Sequence, residues 1–231
     1  MYVGCIYEGD LYVVDVSDKT NPQNLGNVTT PSAFTHNAWV SDNGDFVFTT
    51  DEQSDAYIGA YDISDLNNIQ EVDRIQSNPG SNSIPHNTHV DGNFIITSYY
   101  RDGTVVHDIT NPNNLIEVAH YDSSPLSGDG FQGCWGTYPF LPSGNIISSD
   151  IDYGSITKGR LLVYSRDFLQ ACYLEGNVSD ISNSLPITNA TIEIINPNLT
   201  IQTNSDLAGN YMSGIANLSL IHIWRCRRFA V

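Results

Sequence analysis

Three histidines and three acidic residues of this chain could together bind a divalent metal ion. Imidazole nitrogens combined with carboxylate oxygens suit zinc, manganese or iron. The candidate metal ligands are His36, Asp51, Glu52, His86, His89 and Asp150. In the alternative interpretation, the histidines cap loops by hydrogen bonding to the backbone and bind no metal.

Two further kinds of site chemistry can be considered. Asp51, Glu52 and Asp55 carry the oxygen ligands that calcium prefers, but they lack the spacing of a calcium-binding loop and could equally form a solvated turn. Aromatic side chains could form a platform for a sugar or a peptide, or could pack between structural units. These aromatic residues are Trp39, Tyr99, Tyr100, Trp135 and Tyr138. No GxSxG, HExxH or GxxxxGK(S/T) motif indicates an enzyme.

One phrase occurs three times and organises the chain. Its copies read LYVVDVSDKTNPQNLGNV, YIGAYDISDLNNIQEVDRI and TVVHDITNPNNLIEVAHYD. Each has a β-branched run, a turn rich in Asn, Asp and Pro, and a second alternating run, which predicts a strand, a turn and a strand. The aspartates Asp15, Asp62 and Asp108 are 47 and 46 residues apart. We predict that each holds the following turn by accepting backbone hydrogen bonds.

A second phrase precedes the later copies. It reads FTHNAWVSDNGDFVFTTDE, then IPHNTHVDGNFIITSYYRDG, then a diverged GCWGTYPFLPSGNIISSDIDYG. Its Asn-Gly, Asp-Gly and Ser-Gly pairs predict hairpins, so each period of about 47 residues carries four strands. Such a unit is typical of a β-propeller blade. Because propellers usually have about 4–8 blades, we expect further blades before Met1.

The predicted fold is all-β: a partial β-propeller of four-stranded blades over residues 1–170, followed by a partial β-sandwich over residues 172–217. The first strand of a blade lines the central channel, and its start lies beside the end of the second strand. This arrangement predicts three groups of neighbours at one end of the channel. They are His36 with Asp51 and Glu52, His86 with Tyr99 and Tyr100, and Trp135 with Asp150.

The end of the chain departs from these patterns. Residues 218–231, LSLIHIWRCRRFAV, differ in charge and pattern from all that precedes them and resemble a translated library adapter, so we expect a non-native tail. The four cysteines show no CxxC spacing, which argues against a zinc or redox motif. A Cys134–Cys172 disulfide and two buried thiols both remain open.

Three segments of the chain together resemble the choice-of-anchor B family of bacterial surface proteins, whose propellers contain LVIVD-type repeats. These segments are THNAWVSDNGDFVFTTDE, IPHNTHVDGNFIITSYYRDGTVVHDIT and CWGTYPFLPSGNIISSDI. The resemblance covers residues 1–170 and implies export, a C-terminal anchoring or sorting segment, and no settled enzymatic activity. Three later segments resemble the carboxypeptidase regulatory-like domain, a non-catalytic transthyretin-like sandwich. They are EGNVSD, LPITNATIEI and TNSDLAGNY. Its final strands and any anchor are expected to lie outside this sequence.

Charge narrows the range of partners. The chain has 26 acidic and 9 basic residues and a net charge of −17, which disfavours nucleic acid and anionic membrane surfaces. No apolar run approaches the ~18 residues of a membrane span, and Met1 does not begin a signal peptide.

We predict a secreted or cell-surface protein, with its signal peptide and anchor outside this sequence, that binds an extracellular protein or glycan without catalysis. One alternative is a metal-dependent enzyme with its site at the mouth of the propeller channel, acting through His36, Glu52 and His86. Another is an adhesion module that binds calcium through its acidic face.

Overall fold

The computed structural model describes residues 1–151, 159–196 and 199–217. Within these ranges the chain forms eighteen β-strands, all in antiparallel pairs, and no helix, so the all-β prediction is confirmed. Among the described residues there is accordingly no helix that could cross a membrane. The tail predicted to be non-native, residues 218–231, lies outside the described residues.

The first fourteen strands form four sheets, which we call blades 1 to 4. Blade 1 contains β1 (Tyr2–Cys5), β2 (Asp10–Asp15) and β3 (Gln23–Thr29). Blade 2 contains β4 (Thr35–Val40), β5 (Phe46–Asp51), β6 (Ile58–Asp62) and β7 (Gln70–Ile75). Blade 3 contains β8 (Pro85–Asp91), β9 (Phe94–Tyr99), β10 (Gly103–Asp108) and β11 (Ile116–Tyr121). Blade 4 contains β12 (Gly133–Tyr138), β13 (Ile146–Ile151) and β14 (Arg160–Tyr164).

The turns inside the blades follow from local sequence chemistry. Gly44 and Gly92 have φ angles of +81° and +60°, in the left-handed region that glycine adopts without steric cost. Both glycines have open space where a side chain would stand, so backbone conformation rather than packing requires them. The hairpins predicted at these positions join β4 to β5 and β8 to β9.

The recurrent aspartates hold the turns that follow them, as predicted. Asp15, Asp62 and Asp108 each accept a hydrogen bond from the backbone N–H two residues further on, at 2.8, 2.9 and 2.7 Å. Hydrogen bonds from Ser17 and Ser64 hold the pKa values of Asp15 and Asp62 below their usual range. The same turn is thus built three times.

The hydrophobic core lies between consecutive blades. Leu11 of blade 1 packs with Val47 and Tyr61 of blade 2, and the core between blades 3 and 4 contains Ile96 and Ile146. The core between blades 2 and 3 includes Phe48, Ile58, Ala60, Val90, Ile95, Tyr99 and Val105. Because burial of each large side chain contributes about 1.5–3 kcal/mol, a blade is stabilised mainly by its neighbours.

The last four strands form two small sheets. β15 (Cys172–Asn177) pairs with β18 (Asn210–Ile215), and β16 (Thr191–Asn196) pairs with β17 (Leu199–Asn204). These strands lie against the outer edge of blade 3, where the Asn114 side chain donates to the Ser213 carbonyl at 2.9 Å. Cys134 is buried, Cys172 is exposed, and neither forms a disulfide.

His107 makes the stability of the fold sensitive to acid. Its side chain is fully buried in β10, facing Glu117 and His120 of β11, and neither ring nitrogen has a hydrogen-bond partner among the described residues. Burial lowers the pKa of His107 to about 4, so below pH 6.5 the unfolded chain takes up a proton that the folded chain excludes. This group therefore contributes its full stability above pH 6.5 and loses it as the pH falls.

We expect His107→Leu to flatten the pH dependence of the unfolding free energy between pH 6.5 and 4. One pKa unit corresponds to about 1.4 kcal/mol, so the difference between wild type and variant should change by about 3 kcal/mol across this range. Urea unfolding at a series of pH values measures the unfolding free energy of wild type and variant. His120→Ala is the control, because Glu117 raises the pKa of His120 and its removal should not flatten the profile. Parallel profiles for wild type and H107L would contradict the assignment.

Candidate metal and ligand site at the channel mouth

A β-bulge lies near the start of each innermost strand, β4, β8 and β12. The pairing of β4 with β5 shifts register between Thr35 and Asn37, which leaves His36 as the extra residue. Equivalent irregularities leave Trp135 as the extra residue of β12 and include His86 in β8. Since a bulge redirects the side chain it carries, these three side chains are turned toward the same end of the neighbouring inner strands.

A hydroxyl group of the preceding blade fixes two of these bulges. The Thr50 hydroxyl of β5 donates to the backbone carbonyl of His86, and the Ser98 hydroxyl of β9 lies 3.3 Å from the backbone carbonyls of both Trp135 and Asn87. Both hydroxyl-bearing residues are fully buried and hold equivalent places in their strands. The backbone of blade 1 packs directly against the start of β4 in blade 2. A Cβ atom at Gly4 would lie only 2.8 Å from the Thr35 carbonyl oxygen.

His36, Glu52 and His86 converge at this mouth, and we call them the triad. His36 Nδ1 lies 3.1 Å from Glu52 Oε2, and His86 Nε2 lies 3.5 Å from Glu52 Oε1. The two imidazole rings stack with their centroids 4.6 Å apart. One ligand atom from each of the three residues can be chosen so that all lie within 4.8 Å of one another. The triad therefore has the residue types and the spacing to hold a metal ion.

Hydrogen bonds outside the triad orient its members. His86 is 4% exposed, and its Nδ1 contacts both the Trp135 carbonyl oxygen, which can only accept, and Asn87 Nδ2 at 2.8 Å; the tautomer that satisfies the carbonyl carries its proton on Nδ1. The Tyr100 hydroxyl donates to Glu52 Oε1 at 2.7 Å. Burial lowers the pKa of His86, and burial together with Glu52 raises the pKa of Tyr100. The neutral His86 ring thus presents an unprotonated Nε2 to the carboxylate.

Asp51 and Asp150 do not join the triad, although the sequence analysis placed them with it. Asp51 accepts hydrogen bonds from the Thr30 hydroxyl and from the Ser32 N–H at 2.6 Å. Asp150 pairs with Arg160 at 2.7 Å and accepts from a serine hydroxyl of the loop before β12. Successive residues of a strand point to opposite faces, so when Glu52 faces the mouth, Asp51 faces the blade interior.

The remaining candidate ligands also lie elsewhere. The His89 ring packs 4.7 Å from Trp39, and burial lowers the pKa of His89. Asp55 accepts the backbone N–H of Gly80 at 3.0 Å and thereby closes a loop. Asp51, Glu52 and Asp55 therefore engage three separate sets of partners, which does not match the calcium arrangement considered from the sequence.

Four exposed aromatic residues lie in and around β12, and we call them the aromatic rim: Phe131, Trp135, Tyr138 and Phe140. Phe131 and Trp135 contact Tyr100 and His86 at the triad, whereas Tyr138 and Phe140 contact each other and Phe140 contacts Trp39 and His89. Trp135 is 48% exposed, and its ring lies 5.3 Å from that of His86. Tyr138 is 45% exposed and contacts Phe140, which stacks on Trp39. The sequence analysis missed both phenylalanines, although the run FQGCWGTYPF brings four aromatic residues into ten positions.

Two of the aromatic residues assigned to the platform are buried. Tyr99 is 1% exposed and packs in the core between blades 2 and 3, so it is a core residue and not part of a binding platform. Tyr100, its neighbour in the chain, points the opposite way and reaches Glu52 with its hydroxyl. Trp39 is partly buried against the same core. Of the platform residues named from the sequence, Trp135 and Tyr138 are well exposed to a ligand.

Comparison with known proteins supports the class of fold. No protein-family model matches the chain, and no curated protein matches it. A solved protein from Lactobacillus plantarum is similar, with a TM-score of 0.53 and 12% identity, over 78% of this chain and 48% of that chain. The chain thus spans about half the length of that protein. At this identity the likeness concerns the fold alone, which is that of the β-propeller-like proteins.

Two other solved structures are more weakly similar. Hydrazine synthase of Kuenenia stuttgartiensis gives a TM-score of 0.49 and 16% identity, over 91% of this chain and 64% of that chain. A periplasmic gluconolactonase of Pseudomonas aeruginosa gives 0.40 and 10%, over 92% and 70%. The activities of these two proteins carry no argument for this one.

We expect Asp51→Ala and Asp150→Ala to destabilise the fold. Each removes a buried carboxylate that accepts hydrogen bonds, which should cost about 3 kcal/mol for Asp51 and about 2 kcal/mol for Asp150, whose partner Arg160 is partly exposed and also donates to the Ser123 carbonyl. Glu52→Gln keeps an acceptor for Tyr100 and should change stability by less than about 0.5 kcal/mol. Urea unfolding at pH 7 measures all three. Equal effects at Asp51 and Glu52 would refute the division between structural and site carboxylates.

Proposed function

We propose that this chain is a non-catalytic binding protein that holds a neutral glycan at the aromatic rim. The observation that carries the proposal is the exposure of Trp135, Tyr138 and Phe140 along β12 and the turn that follows it, with the Trp135 ring 5.3 Å from that of His86 in the triad. Grouped exposed aromatic side chains mark a binding surface, since isolated monomers rarely expose such patches without a function. Aromatic faces stack on the C–H faces of sugar rings, while carboxylate and imidazole groups hydrogen-bond the hydroxyl groups.

The charge of the protein favours a neutral ligand. A net charge of −17 produces a field that repels nucleic acid, sulfated polysaccharide and other polyanions. The rim itself is uncharged, so a neutral chain of sugars meets no electrostatic barrier there. We therefore place glycans ahead of anionic partners.

We further propose that the protein acts outside the cell or on its surface. The resemblance of residues 1–170 to the choice-of-anchor B family supports export, as the family is described by its anchoring. The low share of charged residues, 15%, with many Asn, Ser and Thr in the turns, is compatible with a surface protein. Protease accessibility on intact cells that express the natural gene would test this location.

A metal-dependent enzyme is the second candidate, and the triad favours it. Two imidazoles and one carboxylate would leave coordination positions open, and an ion held in this way can activate water or polarise a carbonyl group. The two candidates differ in one measurement. A binding protein leaves its glycan intact after prolonged incubation, whereas an enzyme releases shorter products in a reaction that a chelator stops.

We expect Trp135→Ala and Tyr138→Ala each to weaken glycan binding at least tenfold, which corresponds to about 1.4 kcal/mol. The loss follows from removing a stacking surface at the rim. Isothermal titration with neutral cello-, manno- and chito-oligosaccharides provides the measurement. Tyr7→Ala is the matched control, because Tyr7 is almost fully exposed and lies in a turn of blade 1. If none of these oligosaccharides binds, or if Y7A weakens binding equally, the rim is not a glycan site.

A further inference from the structure

We propose that His36, Glu52 and His86 bind one divalent transition-metal ion, with the Tyr100 hydroxyl and the Trp135 carbonyl as the hydrogen-bond partners of its ligands. The site stands apart from the glycan proposal, because it depends on the triad and not on the exposed rim. Three features of the described residues support it: the separations of the ligand atoms, the orientation of the rings, and the placement of the partly buried acceptors around one point.

The separations match those between the ligands of a single ion. Zinc–nitrogen and zinc–oxygen bonds of about 2.1 Å at tetrahedral angles place two ligand atoms about 3.4 Å apart. His36 Nδ1 lies 3.1 Å from one oxygen of Glu52, and His86 Nε2 lies 3.5 Å from the other. A small rotation of the Glu52 carboxylate would place one of its oxygens at the ligand-to-ligand distance from both ring nitrogens. The triad is therefore already close to the ligand geometry of a metal ion.

The orientation of His86 matches that of a metal ligand. A histidine that binds a metal usually donates its other ring N–H to a carbonyl or carboxylate group, which fixes the ring and the tautomer. His86 Nδ1 donates to the Trp135 carbonyl, so Nε2 carries the free lone pair and faces Glu52. The Tyr100 hydroxyl orients the carboxylate in the same manner. These supporting groups come from Tyr100, which directly follows β9, and from Trp135 of β12, and the ligands come from blades 2 and 3.

The acceptor atoms of the triad need a positive partner. His86 Nε2 and Glu52 Oε1 are both acceptors when Nδ1 holds the ring proton, and they are only 3.5 Å apart. His36 Nδ1 faces the other carboxylate oxygen at 3.1 Å, where a ring proton would make an ion pair and an unprotonated nitrogen would be a third acceptor. Acceptors left facing one another in a partly buried site are costly. A single cation at their centre satisfies all three.

The donor set selects the kind of ion. Calcium and magnesium require oxygen ligands, whereas two imidazole nitrogens and a carboxylate suit zinc, iron, cobalt or nickel. Three protein ligands leave at least one coordination position for water or for another molecule. The ring of Trp135 lies beside His86, so a molecule bound at that position would also contact the rim.

Titration of the full chain with metal tests the proposal. After treatment with a chelator, the protein is titrated with Zn²⁺ by calorimetry and with Co²⁺ by visible absorption, at pH 7. We expect one equivalent of each ion to bind, and Co²⁺ to show the intense visible bands of a four- or five-coordinate site with nitrogen ligands. Glu52→Gln and His86→Ala should each weaken Zn²⁺ binding at least 100-fold, because each removes one of three ligands.

His120→Ala is the matched control for these variants. His120 Nδ1 lies 3.5 Å from Glu117 Oε1, which reproduces one histidine–glutamate contact of the triad, and among the described residues no third ligand atom lies within 4.8 Å of both. This variant should bind Zn²⁺ as wild type does. Tyr100→Phe removes the hydrogen bond to Glu52 and should weaken binding about tenfold while the Co²⁺ spectrum stays four- or five-coordinate.

Each alternative outcome overturns the metal site. Failure of wild type to bind one equivalent would do so, as would an equal loss of affinity in H120A and E52Q, which indicates adventitious surface binding. Because His86 is buried, circular dichroism must show that H86A is folded, and E52Q carries the test if it is not. Zinc binding that survives in Tyr138→Ala while oligosaccharides fail to bind would uphold the metal site and refute the glycan proposal.

Discussion

The site depends on a hydrogen bond between a buried hydroxyl of one blade and a bulged backbone carbonyl of the next. Thr50 holds the carbonyl of His86, and Ser98 holds that of Trp135. Because the bulge determines where its side chain points, the preceding blade determines the orientation of His86 and of Trp135. Packing between blades supplies the stability, but this polar contact sets the register between two blades at the mouth. The carbonyl of Trp135 has a second role, since it also accepts from His86.

Strand alternation is the second constraint, and it sorts neighbouring residues into different roles. Asp51 and Glu52 are adjacent, yet one is enclosed by Thr30 and Ser32 while the other reaches the two histidines. Tyr99 and Tyr100 at the equivalent place of blade 3 divide in the same way between core and mouth. A carboxylate one residue away from a ligand thus belongs to a different environment. This is why three residues converge where six were considered.

Much of the fold could be predicted because its signals are local and repeated. The structure contains the repeated strand–turn–strand units, the glycine turns and the turns held by aspartates. Each of these features is determined by interactions within a few residues. The proximity of His36 and Glu52 also followed, since it needs one hairpin only. The partners Thr30 and Ser32 of Asp51 and the partner Ser123 of Asp150 could not be predicted, because they lie outside the hairpin that carries each aspartate. The exposure of Phe131 and Phe140 depends on how the blades meet, which no local pattern encodes.

The equivalence of His36, His86 and Trp135 has a consequence for the history of such proteins. The bond that fixes a bulge uses a backbone carbonyl, so it persists whichever side chain occupies the bulged position. Repeats that arise by gene duplication can therefore diverge at this one codon while the backbone contact between the blades is kept. In this arrangement the side chain presented at the channel mouth can change one blade at a time.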